Sequence, residues 1–143
     1  EHEIAAPQEG RGKGLPPLPG LPDVLHREGR FFTMIPTCNI NVWYDQIAIL
    51  VAEPTGPGTT RETIHLLFAP EAMAGQFDDA RQAVLNTWDG LNREDIGPLE
   101  SMQRGRVSPG FDGGAFSPFW DSGTHFFARQ VAELMLHHAG ETP

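Results

Sequence analysis

The side chains best suited to chemistry lie in one stretch, Asn92-Arg93-Glu94-Asp95-Ile96-Gly97-Pro98-Leu99-Glu100-Ser101-Met102-Gln103-Arg104-Gly105. Pro98 has no N–H to donate, which suits the first turn of a helix, so the spacing predicts a helix start between Glu94 and Gly97 and a stop at Gly105. On such a helix Asp95, Leu99 and Met102 follow at i, i+4 and i+7 and share a face. A carboxylate at the mouth of an apolar stripe has two readings. It caps the helix, accepting an orphan backbone N–H while its charge meets the positive end of the dipole, or it is an anionic ligand for a metal ion. Spacing alone favours the cap.

The other reactive residue types are sparse. His2, His26, His65, His125, His137 and His138 show no H-x-x-x-H or H-x-x-x-x-H spacing, so no pair is preset on one helix face for iron or zinc. His137-His138 near a helix C-terminus suits the dipole there. Cys38 is the only cysteine and reads as a small buried hydrophobe at a strand end.

These side chains need a scaffold, and the rest of the chain predicts one. Residues 1 to 22 hold Pro7, Gly10, Gly12, Gly14, Pro16, Pro17, Pro19, Gly20 and Pro22, a density that excludes a helix or central strand and marks an extended or disordered lead-in. That composition suits a polyproline ligand for another module, and equally a plain connector. Asp23 to Arg30 reads as a short helical turn capped by Asp23 and ended by Gly29. Phe31 to Ile35 and Ile40 to Glu53 read as strands, the second alternating through Ile40, Val42 and Tyr44 and continuously apolar from Ile47 to Ala52. After a loop from Pro54 to Thr59, Thr60 to Phe68 returns as the second arm of a hairpin, which completes a three-stranded antiparallel meander.

Phe77, Ala80, Val84, Leu85 and Trp88 then fall on one face of a helix that Gly90 ends and that lies across the sheet. Val107 to Phe116 is a Gly-rich loop whose Gly113 and Gly114 allow close backbone approach, suited to folding over a pocket. Ser117 as cap and Pro118 at the first helical position open a last helix running to Ala139. Its stripe is Trp120, Phe127, Val131, Leu134 and His138, widened by Phe119, Phe126 and Met135.

Taken in order, Glu94-Asp95, Glu100-x-x-Gln103-Arg104-Gly105, Ser117-Pro118 and Thr124-His125-Phe126-Phe127 resemble the end of the catalytic domain of Rieske-type ring-hydroxylating oxygenase large (alpha) subunits, in the flavour of the choline/carnitine monooxygenase-like branch. The resemblance extends upstream through Leu15 to Pro22, the Phe31 to Pro54 region and Gly56-Pro57-Gly58. It implies an α+β helix-grip (START/Bet v 1-like) fold, an antiparallel sheet packed by a long C-terminal helix, incomplete in this chain. Residues 1–30 are then a lead-in with a helical turn, and 31–143 the C-terminal portion of the catalytic domain.

In that family the second acid of the pair is the carboxylate ligand of a mononuclear Fe(II), so the resemblance makes Asp95 the third member of a two-histidine, one-carboxylate site. Both histidines are expected upstream of this chain. Glu94 and Gln103 become groups behind the ligand or at a subunit contact, and Met102, Phe111, Phe116 and Trp120 an apolar lining for the substrate. The implied chemistry passes electrons from NAD(P)H through a reductase or ferredoxin and a [2Fe-2S] Rieske cluster to the iron, with O2 hydroxylating or demethylating an aromatic or quaternary-ammonium substrate. The full-length enzyme is expected to be a homo-oligomer, a trimer. Two departures from the family are Pro36-Thr37-Cys38-Asn39, where Pro-Asn is common, and Asp121 as the acid of the final helix.

A single cysteine cannot supply the Cys2His2 ligands of a Rieske cluster, and a single Asp holds iron weakly, so the isolated chain is expected to be inactive. The net charge of -9, with ten scattered Lys and Arg, argues against nucleic acid. No apolar run approaches the roughly 18 residues of a membrane span, and Glu1-His2-Glu3 is not the basic start of a signal peptide. The expectation is a soluble, cytoplasmic protein without a membrane partner. Two other classes compete: a metal-free helix-grip module that binds an apolar ligand, and a fragment that folds only with its other half. Metal dependence separates the first from the oxygenase, and folding in isolation separates the second from both.

Overall fold

The computed structural model describes residues 14–22 and 28–140 of the chain. Four strands, β1 (Arg30–Met34), β2 (Cys38–Val42), β3 (Gln46–Gly56) and β4 (Thr59–Phe68), form an antiparallel meander in sequence order. Two short 3-10 turns, Pro70–Met73 and Gly75–Phe77, lead into α1 (Asp78–Arg106), and a loop connects it to α2 (Ser122–Gly140). The fold is α+β with an antiparallel sheet, as expected, but with one strand more. The run from Ile40 to Glu53 is not a single strand, because Trp43 N–H donates to the Gln46 carbonyl at 2.8 Å and the chain reverses there. Ile40 then lies opposite Ile49, and Val42 opposite Ile47. The β3–β4 hairpin turns tightly at Pro57-Gly58, so its arms extend into the expected loop, with an irregularity between Pro54 and Gly56.

Register assigns the two faces of the sheet. Phe31, Asn41, Ala48 and Leu66 lie across from one another, and Thr33, Asn39, Leu50 and Ile64 continue that face. The first half of α1 packs on this side, and the start of α2 faces Thr33 and Asn39 of it across a cleft. Leu66 and Phe68 pack with Phe77, Ala80 and Trp88 around a buried cluster of Leu15, Ala69, Ala72 and Val84. The helical face predicted from Phe77, Ala80, Val84 and Trp88 is therefore the buried one, whereas Leu85 is turned outward and exposed. Trp88 Nε1–H donates to Gln46 Oε1 at 3.1 Å, which satisfies a buried amide oxygen. Arg81 ties the first 3-10 turn to the helix by donating to the Ala72 carbonyl and pairing with Asp78.

The described part of the lead-in is extended, but it is ordered onto the sheet. Leu15 is buried, Tyr44 Oη–H donates to the Leu15 carbonyl at 3.1 Å, and Leu18 N–H donates to the Tyr44 carbonyl at 2.8 Å. The helical turn expected over Asp23 to Arg30 lies outside the described residues except at its end, where Arg30 pairs with Glu28 at 2.9 Å. Gly29 packs on the Trp43 ring, so an added Cβ stands 2.8 Å from Cζ3, and Trp43 meets Phe31 edge-on at a centroid distance of 5.4 Å. Gly29→Ala is expected to lower stability by about 1–3 kcal/mol, read as a shift of the urea midpoint at unchanged slope.

α1 departs furthest from expectation: it runs for 29 residues without interruption through Gly90, Gly97 and Pro98. Gly90 does not end a helix, and Glu94 to Gly97 do not start one. Its end at Arg106 does fall beside the expected stop at Gly105. Extending a formed helix through one poor residue is less costly than nucleating a second one. Pro98 removes only the hydrogen bond to the Glu94 carbonyl, and that segment is exposed to water. Asp89–Arg93 at 2.8 Å and Glu100–Arg104 at 3.7 Å support the helix on either side. Pro98→Ala is therefore expected to stabilise the chain by about 1–3 kcal/mol. An unchanged or lowered urea midpoint would instead mark Pro98 as a helix start.

The final helix also begins later than expected. Ser117 caps a preceding turn, its Oγ accepting from Trp120 N–H at 3.2 Å, while Asp121 Oδ2 accepts from Ser117 N–H at 2.7 Å. The regular helix opens only at Ser122. Thr33 and Asn39 of the sheet, with Ile35 in the turn between β1 and β2, face Gly123, Thr124, Phe126 and Phe127 of α2 across a cleft of about 530 Å³. Farther along, Leu134, Met135 and Leu136 are exposed. No helix among the described residues is long and apolar enough to cross a membrane.

Candidate functional site

The face of α1 that carries Ala80, Val84 and Trp88 into the core continues at helical spacing through Leu91, Asp95, Leu99, Met102 and Arg106. Asp95 thus interrupts an apolar stripe where it runs past the buried cluster. It is exposed, as are Leu99 and Met102. The capping role falls away, because Asp95 lies deep inside α1, where backbone N–H groups bond the carbonyls four residues earlier.

Neighbouring cations are committed elsewhere. Arg93 Nε–H donates to Asp89 at 2.8 Å, and this hydrogen bond, with the Asp89 charge, raises the Arg93 pKa above its ordinary value. Arg104 donates to Ser101 at 2.8 Å and lies 3.7 Å from Glu100. Among the described residues no cation pairs with Asp95. Glu94 and Gln103 are exposed on the same helix. Gln103 stands eight residues on, about 12 Å along the axis, so it is not brought against Asp95.

Among the described residues no group of three or more His, Cys, Asp or Glu side chains converges. These residues therefore do not by themselves make an iron or cluster site, and Asp95 offers a carboxylate donor only. His125 tilts against Phe116 with ring centroids 5.0 Å apart, and His138 Nδ1 lies 3.1 Å from the Leu134 carbonyl near the end of α2. His65 sits on β4 opposite Ile49, on the sheet face away from the helices.

Past Asp95, the end of α1 and the loop that follows fold into a hollow of about 590 Å³. Met102, Phe111 and Phe116, which the sequence reading grouped as apolar lining, meet there with Gly105, Arg106 and Gly113-Gly114. Positive φ at Gly113 (94°) and Gly114 (67°) turns the loop in a way that side chains resist. Trp120 is not part of the hollow. It lies edge-on to Phe119 at 4.6 Å and is 76% exposed. The sequence reading passed over Arg106, although its place four residues after Met102 puts it on the same stripe. Thr33, whose Oγ–H donates to Asn39 Oδ1 at 2.9 Å in the cleft beside α2, was passed over too. Side-chain spacing along one strand carries no signal for such a contact.

The antiparallel meander and the helices that follow it make an α+β domain. The family model of the ring hydroxylating alpha subunit (catalytic domain) matches residues 1–137, and the chain belongs to that family. No curated protein and no solved structure matches it. Membership makes this an oxygenase domain, an oxidoreductase in its parent protein, of the Rieske type in general. The family generally depends on non-heme iron and a Rieske cluster, works with reductase or ferredoxin partners and forms oligomers.

Proposed function

We propose that residues 31–143 are the C-terminal portion of a Rieske oxygenase catalytic domain in which Asp95 is the carboxylate ligand of the mononuclear Fe(II), with residues 1–30 as its lead-in. One observation carries the reading: Asp95 is an unpaired carboxylate, among the described residues, on the continuation of the buried face of α1. The remaining donors are two histidines from elsewhere in the parent enzyme, and the [2Fe-2S] cluster is held there too. Glu94 and Gln103 serve behind the ligand or at a subunit contact, and Met102, Phe111 and Phe116 line the substrate side.

The parent reaction on this reading is hydroxylation or demethylation of an aromatic or quaternary-ammonium substrate, in the manner of the choline/carnitine branch. O2 and NAD(P)H-derived electrons, delivered by a reductase or ferredoxin, are consumed by a cytoplasmic trimer. The coding sequence around this chain tests the assignment directly. A C-x-H…C-x-x-H pair followed by two closely spaced histidines supports it. A stop codon and unrelated sequence upstream overturn it and leave the metal-free binding module.

A further inference from the structure

The sheet has a second face, and it is the more apolar of the two. Register places Phe32, Ile40 and Ile49 in one row across β1, β2 and β3, and Val42, Ile47 and Leu67 in the next. The side toward α1 carries Thr33, Asn39, Asn41 and Gln46 instead. A continuously apolar run such as Ile47 to Ala52 belongs to a strand covered on both faces. Among the described residues no helix packs on the second face, and Phe32, Met34 and Leu67 are 53%, 58% and 47% exposed there. Arg30, Thr63 and His65 stand at its border, so the patch has the apolar centre and polar rim of an interface.

We propose that this face is an interface between two copies of the chain, packed sheet on sheet about a two-fold axis. The contact goes beyond the oxygenase reading and does not rest on it. Four strands about 4.8 Å apart, with outward residues about 6.8 Å apart along each, make three rows span roughly 20 Å by 20 Å. A patch on the order of 400 Å² in plan is at the upper end of what monomers leave open. One helix, about 10 Å across, covers half of that width, whereas a second sheet of the same four strands matches it. With the relief of its side chains the face approaches the roughly 800 Å² per partner of a stable contact. Charge favours the same partner. The chain carries -9 overall, but on this face Arg61 lies opposite Glu53, and Arg30 pairs with Glu28 at 2.9 Å. Two copies therefore meet here without the repulsion that their acidic surfaces elsewhere impose. An isologous contact closes at two, which separates it from any three-fold contact of the parent enzyme.

The only cysteine lies on this face and reports on it directly, since Cys38 stands opposite Met34 and Val51 and is half-buried. The test joins sedimentation equilibrium of the 143-residue chain with the rate of Cys38 alkylation by iodoacetamide over the same concentrations. A monomer–dimer equilibrium is expected, with alkylation slowing as the dimer fraction rises. Phe32→Glu and, independently, Leu67→Lys should weaken the dimer by about tenfold or more and make the rate independent of concentration. Leu136→Ser on α2 should change neither. All three positions are exposed, so circular dichroism of the variants should match the unsubstituted chain. A chain that sediments as a monomer throughout, or as a larger assembly, overturns the proposal. So does a dimer whose Cys38 reacts at one rate at every concentration, or one that survives both sheet substitutions, because its contact then lies on the helices.

Discussion

Replacing Asp95 by Ala in the full-length enzyme is expected to strip it of mononuclear iron and of turnover while leaving this domain as stable as before. Asp95 is exposed and has no partner among the described residues, so its loss leaves neither cavity nor orphaned group. A substitution of that kind stays within about 0.5 kcal/mol in stability, and Ala propagates a helix better than Asp. Losing a direct ligand should weaken iron binding by more than the roughly 10–100-fold seen when a group behind a ligand is removed. Iron content, cluster absorbance and melting temperature measured on one preparation separate the readings. Lost iron with an intact cluster and unchanged melting supports the ligand. Retained iron and turnover reduce Asp95 to a surface residue, and a stability loss near the roughly 1 kcal/mol of a removed cap restores the role that α1 denies it. Asp95→Glu keeps the charge but moves it by one methylene, so partial iron retention is the expected intermediate.

The same helix shows where sequence reading succeeds and where it stops. Phe77, Ala80, Val84 and Trp88 announce their shared face because burial selects the 3.6-residue period, and that face is the one that packs. Gly90 and Pro98 also look decisive, but they report only local preference. Tertiary anchoring of the first half and cooperative propagation carry α1 past both. In the sheet, alternation reveals the strands but not the reversal at Trp43 to Asp45. Residues on both sides favour strands, and Asp45 is fully buried where a turn residue is expected to be exposed. Periodicity in α2 likewise says which residues share a stripe and nothing about what covers it, and Leu134 and Met135 lie open in this chain. Asp95 is singled out as a ligand by resemblance alone, and the cap to which its spacing pointed is excluded by its place inside α1. The place of Arg106 on the Met102 stripe was legible in the spacing, but its position beside Phe111 and Phe116 depends on the loop folding back.

The second large effect is expected at Leu15, in a segment whose composition reads as linker. Leu15 is one of the largest fully buried side chains of the described structure, and with Ala69, Ala72 and Val84 it closes the space between the sheet end and the first half of α1. Leu15→Ala leaves a cavity that small alanine neighbours cannot fill, at an expected cost of about 2–5 kcal/mol. Leu18 and Leu21 are only half-buried, and their replacement by Ala should cost no more than about half as much. For a chain of this length the Leu15 loss corresponds to a fall in melting temperature on the order of 10 °C. A neutral Leu15→Ala would show that the Pro-rich lead-in is a connector resting on Tyr44 and not part of the fold. The expected result reaches further than stability, because the cluster around Leu15 is the root from which α1 projects. Loosening that root should speed amide hydrogen exchange along α1 beyond Trp88 although Leu15 touches none of that segment, a coupling that a surface-anchored linker cannot produce.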